Sequence, residues 1–460
     1  MPPVVFQRRV ALPFPPEFVF DWHTRPGAFE RLSPPWQAVE LVEKGQGVAD
    51  GSRVVVRLHF GPLSKQWVAE HRGVVPGREF RDVQVAGPFA AWEHAHRVEP
   101  ADNGGAILED HIEYAVPLGD AGARLGGAFV RGELERLFNY RHAVTACDMA
   151  WHWAHREIAP MNILISGSTG LIGNALIPLL TTGGHEVVRL VRTKSRTPSK
   201  EIISWDPDTG FIDAAGLEGI DAVVHLAGEP VANGRWTAAK KARIRESRYR
   251  GTKLLCEAVA QLANPPKVFV CASAIGYYGD RGDEVLTEAS PPGTGFLADA
   301  CQEWEAMCEP ARQKGIRVVN LRIGIVLSPA GGALAKMLTP FKLGLGGTLG
   351  SGKQFMSPIA LDDMIGTIAH ALVTPSLSGP ANAVCPHPVT NYEFTKTLGK
   401  VLGRPTIFPA PAPVLRLALG EMADELLLAS TRVEPRRLME TGYQFRYPTV
   451  EAALRHVLGK

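Results

Sequence analysis

Strand-like patterning dominates the first third of the chain. Residues 4–12 read as a strand and 15–32 as a short helical region closed by Pro34-Pro35. Extended segments with β-type composition follow at 53–60, 66–75, 80–85, 90–98 and 107–116. Pro76-Gly77, Gly87-Pro88 and Asn103-Gly104-Gly105 separate the later segments, which is the punctuation of an antiparallel meander. Val130, Leu134, Leu137, Phe138 and Val144 then fall on one face of a long helix that runs on toward Ala154. The pattern predicts an α+β domain over residues 1–155.

At Met161 the pattern changes. Asn162 to Ser166 is an apolar run long enough for one buried parallel strand. Gly167, Gly170 and Gly173 follow at i, i+3 and i+6, and 174–180 reads as an apolar helix ended by Gly183-Gly184. Residues 186–191 supply a second strand, so strand, glycine turn, helix and strand fall within about 30 residues, the spacing of a dinucleotide-binding unit. The stretch Gly167, Ser168, Thr169, Gly170, Leu171, Ile172, Gly173 is the expected diphosphate cradle. Gly167 would make the tight turn, Gly170 would let backbone N–H groups approach the pyrophosphate, and Gly173 would let helix and strand pack closely. An acidic residue at the end of the second strand would favour NAD; this chain offers Arg192, Lys194, Ser195 and Arg196 instead. Arg192 and Ser195 suit a 2′-phosphate, so the expected cofactor is NADP(H).

Residues 222–226 give the next strand, which leads into Leu226, Ala227 and Gly228, small enough at this edge for a cofactor ribose to lie against the backbone. A helix over 248–263 and a strand over 267–272, ending at Ser273, follow. From Gly331-Gly332 to Gly352 the chain is glycine-rich with little periodicity, as suits a flexible flap over the cofactor. Asp362-Asp363 opens a helix and is read as a cap, and 415–429 reads as one amphipathic helix packed on the core. The chain leaves the long helix of the first domain and enters the first strand of the second with almost no linker, which predicts domains held close together.

Composition narrows the function classes. A net charge of +2 over 460 residues gives no footprint for nucleic acid or acidic membranes. No run reaches the about 18 apolar residues of a membrane span, and the N-terminal MPPVVFQRRV lacks the order of a signal peptide, so a cytoplasmic location is expected. The six cysteines are scattered without a CxxC pair, which argues for a reducing compartment. His94 and His96 alternate on one strand and could hold a metal from one sheet face. No third ligand stands at metal-site spacing, so no metal is expected and both are read as polar positions on a half-solvated sheet or cavity wall.

The stretches SGSTGLIG, VVHLAGEPVANGRWTAAKKARIRESRYRGTKLL, ASAIGYYGDRGDEVLTE, FLADACQEWE, LRIGIVLS and GSGKQFMSPIALDDM resemble the extended short-chain dehydrogenases/reductases, and within them an epimerase-like subfamily. The resemblance runs from Met161 almost to the last residue. The first domain, through its element order and FDWHTRPGAFERLSPPW, resembles the START-like (SRPBCC) helix-grip superfamily, whose members enclose an apolar ligand. The implied fold is a Rossmann-type doubly wound parallel sheet over 161–404 with a small tail domain over 405–460, preceded by a helix-grip domain over 1–155.

The superfamily uses a Ser or Thr with a Tyr-x-x-x-Lys pair. Ser273 stands at the Ser position, but alignment on Glu305 places Leu297 at the tyrosine and Cys301 at the lysine, and neither can move the proton. Tyr277, Tyr278 and Glu229 are the remaining catalytic candidates near that point. Arg245 and Arg248, in RESR, are candidates for an anionic group of the substrate. The resemblance implies an NADP(H)-dependent oxidoreductase or epimerase acting on a small, partly apolar substrate, with a homodimer as an admissible assembly. The alternative, favoured by the missing pair, is a dinucleotide-binding regulatory protein with little turnover, like the cell-division-inhibitor-like members.

Overall fold

The computed structural model describes residues 3–60, 63–192 and 201–460. They form two compact units, the first Met1–Ala159 and the second essentially 160–458.

The first unit is a seven-stranded antiparallel sheet in the order β1-β7-β6-β5-β4-β3-β2. Its strands are β1 (Val4–Leu12), β2 (Val39–Glu43), β3 (Arg53–Phe60), β4 (Leu63–Val75), β5 (Glu79–Ala86), β6 (Ala91–Pro100) and β7 (Ala106–Ala115). Two short helices, α1 (Pro16–Thr24) and α2 (Ala28–Arg31), stand where one helical region is expected, because Gly27 turns the chain at a φ of 95°. The edge strand β2 is not anticipated by the pattern; VELVE is short and mostly exposed, so it carries little alternation of burial. The long helix α3 (Gly119–Ala154) buries Leu134 and Phe138 against Phe6, Trp92, Ile112 and Tyr114. This is the helix-grip arrangement. α3 also buries Asp148, whose carboxylate accepts from Arg31 Nε at 2.6 Å.

The second unit carries an eight-stranded sheet. It contains β8 (Asn162–Ser166), β9 (Glu186–Val191), β10 (Ile202–Asp206), β11 (Phe211–Ile212), β12 (Ala222–His225) and β13 (Val268–Ala274), with α4 (Leu171–Thr182) between β8 and β9. The order is β11-β10-β9-β8-β12-β13, followed by the strands Arg317–Ile323 and Gly379–Ala383, and every pairing except that of β10 with β11 is parallel. The central strands β8, β12 and β13 are buried along nearly their whole lengths, which is why they read as unbroken apolar runs. The order is that of a doubly wound dinucleotide-binding sheet, with its topological switch between β8 and β12.

Three elements depart from expectation. The helix α5 (Ala238–Ala260) begins ten positions before the predicted 248. Its first turns, AAKKARIRES, are polar nearly all round and carry no apolar period. Good helix formers, and a Thr237 cap accepting from the Lys240 amide, start the helix regardless. Within the glycine-rich stretch, Gly332–Lys342 is helical and buries Leu334, Leu338 and Phe341. The loop after it is tied down: Gly350 N and Ala410 N donate to Ala410 O and Thr348 O, and Leu349 N donates to Asn391 Oδ1. The expected amphipathic helix over 415–429 breaks at Gly420, whose φ is 65°, into Ala412–Leu419, a short turn and a π-turn over Asp424–Leu428.

Asp362 and Asp363 do not cap their helix, Leu361–Val373, whose N-cap is Ala360. They fasten the C-terminal tail. Asp363 accepts from the Arg446 and Tyr447 amides at 2.8 and 2.9 Å, and Asp362 Oδ2 lies 2.6 Å from His456 Nε2. Among the described residues no helix is long and apolar enough to cross a membrane.

Candidate functional site

The glycine turn joins β8 to α4 at the switch point, and its three glycines meet different surroundings. Gly167 has a φ of 68°, and a Cβ there would come within 2.8 Å of the Leu226 carbonyl carbon. A Cβ on Gly173 would collide with the Gly167 carbonyl oxygen and lie 2.8 Å from Ser168 Cα. Gly170 differs: its Cβ direction meets only the Gly167 oxygen, at 3.2 Å. Two of the glycines are thus required by the protein's own packing. The third leaves a backbone surface clear beside the N-terminus of α4, where aligned N–H groups favour an anion. These residues fit a dinucleotide diphosphate.

The floor of the turn is braced by a buried chain of bonds. Ser166 Oγ lies 2.7 Å from His225 Nδ1 and accepts from the Leu226 and Ala227 amides at 3.1 and 3.2 Å. His225 Nε2 is 3.0 Å from Thr252 Oγ1, which also accepts from Trp304 Nε1 at 2.9 Å. Burial pushes His225 down to about 4, so the ring is neutral near neutral pH. Leu226, Ala227 and Gly228 therefore leave β12 beside the glycine turn along a fixed path. The Cβ position of Gly331 lies 3.5 Å from Leu171, which brings the start of the Gly332–Lys342 helix to the same turn.

Arg192 directly follows β9 and is exposed; Ser195 lies outside the described residues. The Arg192 charge reaches Glu229, on the loop that follows Gly228, but the strongest influence on Glu229 is the hydrogen bond from Lys240 Nζ at 2.6 Å. Together these cations hold the Glu229 carboxyl below its usual range. Lys240 is nearly buried, an unusual setting for a lysine outside a pair.

The two arginines proposed for a substrate anion are already engaged. Arg245 is exposed and pairs with Glu303. Arg248 donates from Nη1 to the Glu229 and Ile244 carbonyls at 3.0 Å each, with its guanidinium 4.8 Å from the centre of the Trp304 ring. Arg248 thus buttresses the Gly228–Glu229 loop, and its guanidinium carbon lies 3.3 Å from where a Cβ on Gly228 would stand.

Ser273 opens a second network. Its hydroxyl donates to Glu305 Oε1 at 2.7 Å, and Glu305 receives both Nε and Nη2 of Arg322 at 2.8 and 2.9 Å. Arg322 Nη1 donates to the Tyr278 hydroxyl at 3.0 Å, which in turn donates to Asn382 Oδ1 at 2.7 Å. Tyr277 lies under the same guanidinium, 3.4 Å from ring centre to Cζ. Burial pushes Tyr278 up to about 12, so its proton stays in the bond to Asn382 and is a poor one to transfer. Leu297 and Cys301 face this region. Leu297 Cβ lies 3.0 Å from the Cβ position of Gly276, and burial pushes the Cys301 thiol up to about 11. Glu305 entered the sequence reading only as an alignment marker, and Arg322 and Asn382 not at all. Both of these lie in apolar strands, where a buried arginine or asparagine is the available signal.

Comparisons with known proteins agree with this geometry. The model for the NAD dependent epimerase/dehydratase family matches residues 163–384. A model for polyketide cyclase / dehydrase and lipid transport matches 12–139, and one for a domain of unknown function matches 410–457. An epimerase family protein of Mycobacterium bovis is 45% identical over 293 residues, 64% of this chain and 96% of its own. The human epimerase family protein SDR39U1 is 39% identical over 303 residues, 65% of this chain and all of its own. Among solved structures, a nucleoside-diphosphate sugar epimerase from Corynebacterium glutamicum is similar at 35% identity and a TM-score of 0.81, over 99% of this chain and 90% of that one. Human SDR39U1 with NADPH is similar at 38% identity and a TM-score of 0.60, over 65% of this chain and 99% of that one.

Proposed function

We propose that this chain, which belongs to the NAD dependent epimerase/dehydratase family, is an NADP(H)-dependent oxidoreductase or epimerase acting on a small, partly apolar substrate. The observation that carries the reading is the glycine turn at the β8–β12 switch, with Gly170 meeting only the Gly167 oxygen and Arg192 directly after β9. The human relative solved with NADPH, similar over nearly its whole length, supports the choice of cofactor.

When bound, such a nicotinamide cofactor supplies hydride exchange. The protein's own part is to hold the diphosphate on Gly167–Gly173, meet a 2′-phosphate with Arg192, and handle the substrate proton. Without a Tyr-x-x-x-Lys pair, we assign the proton to Glu229, a carboxylate kept ionised by Lys240, with Ser273 as the hydrogen-bonding partner of the substrate oxygen. The tyrosines serve the frame of the site.

Calorimetry with both cofactors tests the reading. One charge-assisted hydrogen bond contributes about 1.5–3 kcal/mol, so NADPH is expected to bind roughly 10- to 100-fold more tightly than NADH, and Arg192→Ala to remove the preference. Equal affinities in the unaltered chain would sink it. The regulatory alternative rests on Leu297 and Cys301, and native mass spectrometry of the full chain for a co-purified substrate-like ligand separates the two.

A further inference from the structure

The interior of the first unit gathers titratable side chains that the cofactor site does not use. The strand register places them. His71 on β4 stands opposite Asp82 on β5, and Asp82 opposite His94 on β6; one step along the same face, His96 stands opposite Asp110 on β7. Side chains alternate with period 2, so His94 and His96 share a face. Both are buried, as is Asp110, and α3 contributes His142.

We propose that Asp82, His94 and His96 form a binding site for a divalent first-row transition ion, Zn²⁺ in the first instance. One oxygen of Asp82 and one ring nitrogen of each histidine lie within 4.8 Å of one another. Modest side-chain rotation closes that spread onto an ion bound at about 2.0–2.2 Å. Two imidazoles and a carboxylate make the three-ligand set of a site that keeps a position open for water or another ligand.

The outer partners carry the proposal further than the three ligands alone. Imidazoles that bind metals almost always place their other nitrogen on a carboxylate or carbonyl, which fixes ring and tautomer. Here Asp110 Oδ1 lies 2.9 Å from His94 Nε2 and 3.0 Å from His96 Nδ1, and the second nitrogen of His96, Nε2, lies 3.3 Å from Asp82 Oδ2, the spacing at which an ion would replace the shared proton. Asp110 is itself held by His142 Nε2 at 2.7 Å, and Asp82 by His71 Nδ1 at 2.6 Å through the oxygen that does not face His96. The rings are walled by apolar groups: Phe80 stacks on His96 at 4.4 Å, and Phe138 meets His94 edge-on at 5.4 Å. Asp82 is a quarter exposed, which gives an ion a way in.

The test uses the full chain stripped with a chelator and back-titrated with Zn²⁺ by calorimetry, then loaded with Co²⁺, whose visible d–d bands report coordination. One equivalent of Zn²⁺ is expected, with Co²⁺ bands of a low-coordinate site containing nitrogen ligands. His94→Gln and His96→Gln should each weaken binding by more than the about 10- to 100-fold that loss of an outer partner costs, and Asp110→Asn should fall within that range. Circular dichroism checks that each variant is folded. Absence of stoichiometric uptake, only octahedral hexa-aquo-like Co²⁺ bands in the unaltered chain, or uptake unchanged in both folded histidine variants would overturn the site.

Discussion

One polar network in the first unit joins imidazoles and carboxylates, His71, Asp82, His94, His96, Asp110 and His142, drawn from four neighbouring strands and one helix. A second network, at the carboxyl edge of the second unit's sheet, joins Ser273, Glu305, Arg322, Tyr278 and Asn382. The chemistry of the two sets is opposite. Imidazole exchanges protons and binds metals near neutral pH. A guanidinium does neither, and a phenol pushed up to about 12 keeps its proton. The first network can respond to what enters it; in the second, Glu305, Arg322, Tyr278 and Asn382 form a frame behind the Ser273 hydroxyl.

The sharpest way to probe the contrast is to remove the cofactor cradle without touching the frame. Gly170→Val should abolish dinucleotide binding in calorimetry while leaving the chain folded, because its Cβ position meets only the Gly167 oxygen, at 3.2 Å, and the added methyls would stand where the diphosphate must approach the backbone. A folded variant that binds NADPH normally would mean that the cofactor lies elsewhere.

Breaking the frame should cost stability. Arg322→Met strands Glu305, only 13% exposed, and is expected to destabilise the second unit by about 3–5 kcal/mol. Replacing both partners, with Glu305→Leu added, should restore much of that loss. Denaturant titration measures both, and a single-variant loss within experimental error would show that the network is no frame.

In the first unit a neutral isostere suffices. Asp110→Asn turns one acceptor into an N–H₂ group facing imidazole nitrogens, and should cost about 1–3 kcal/mol in denaturant titration of the full chain. Unchanged stability would mean that Asp110 is dispensable to the cluster.

The last effect appears only on acidification and concerns His225. Its folded-state value, about 4, lies below the usual 6.5, so between these the unfolded chain binds more protons than the folded one. His225 therefore adds stability above about pH 6.5, lost progressively as pH falls toward 4. His225→Gln should flatten that limb of the stability profile; an identical limb in the variant would remove His225 as its source.

What the amino-acid pattern determined by itself was local. The three glycines at i, i+3 and i+6 between two apolar runs identify the strand–turn–helix unit because strand, turn and helix are contiguous and their spacing is covalent. The parallel sheet was legible for the same reason: strands buried on both faces leave uninterrupted apolar runs. Where a segment's stability comes from its surroundings, the pattern failed, as with the polar first turns of α5 and the helix hidden in the glycine-rich stretch. The expectation of no metal ligand beyond His94 and His96 followed from looking along one strand, since Asp82 reaches them only across a sheet register. Likewise Ser273, Glu305, Arg322 and Asn382 come from four separate elements and meet only when the sheet is wound. Tertiary structure alone decided those partnerships, because burial makes a polar side chain seek whichever partner the fold brings within hydrogen-bond reach, at any distance along the chain.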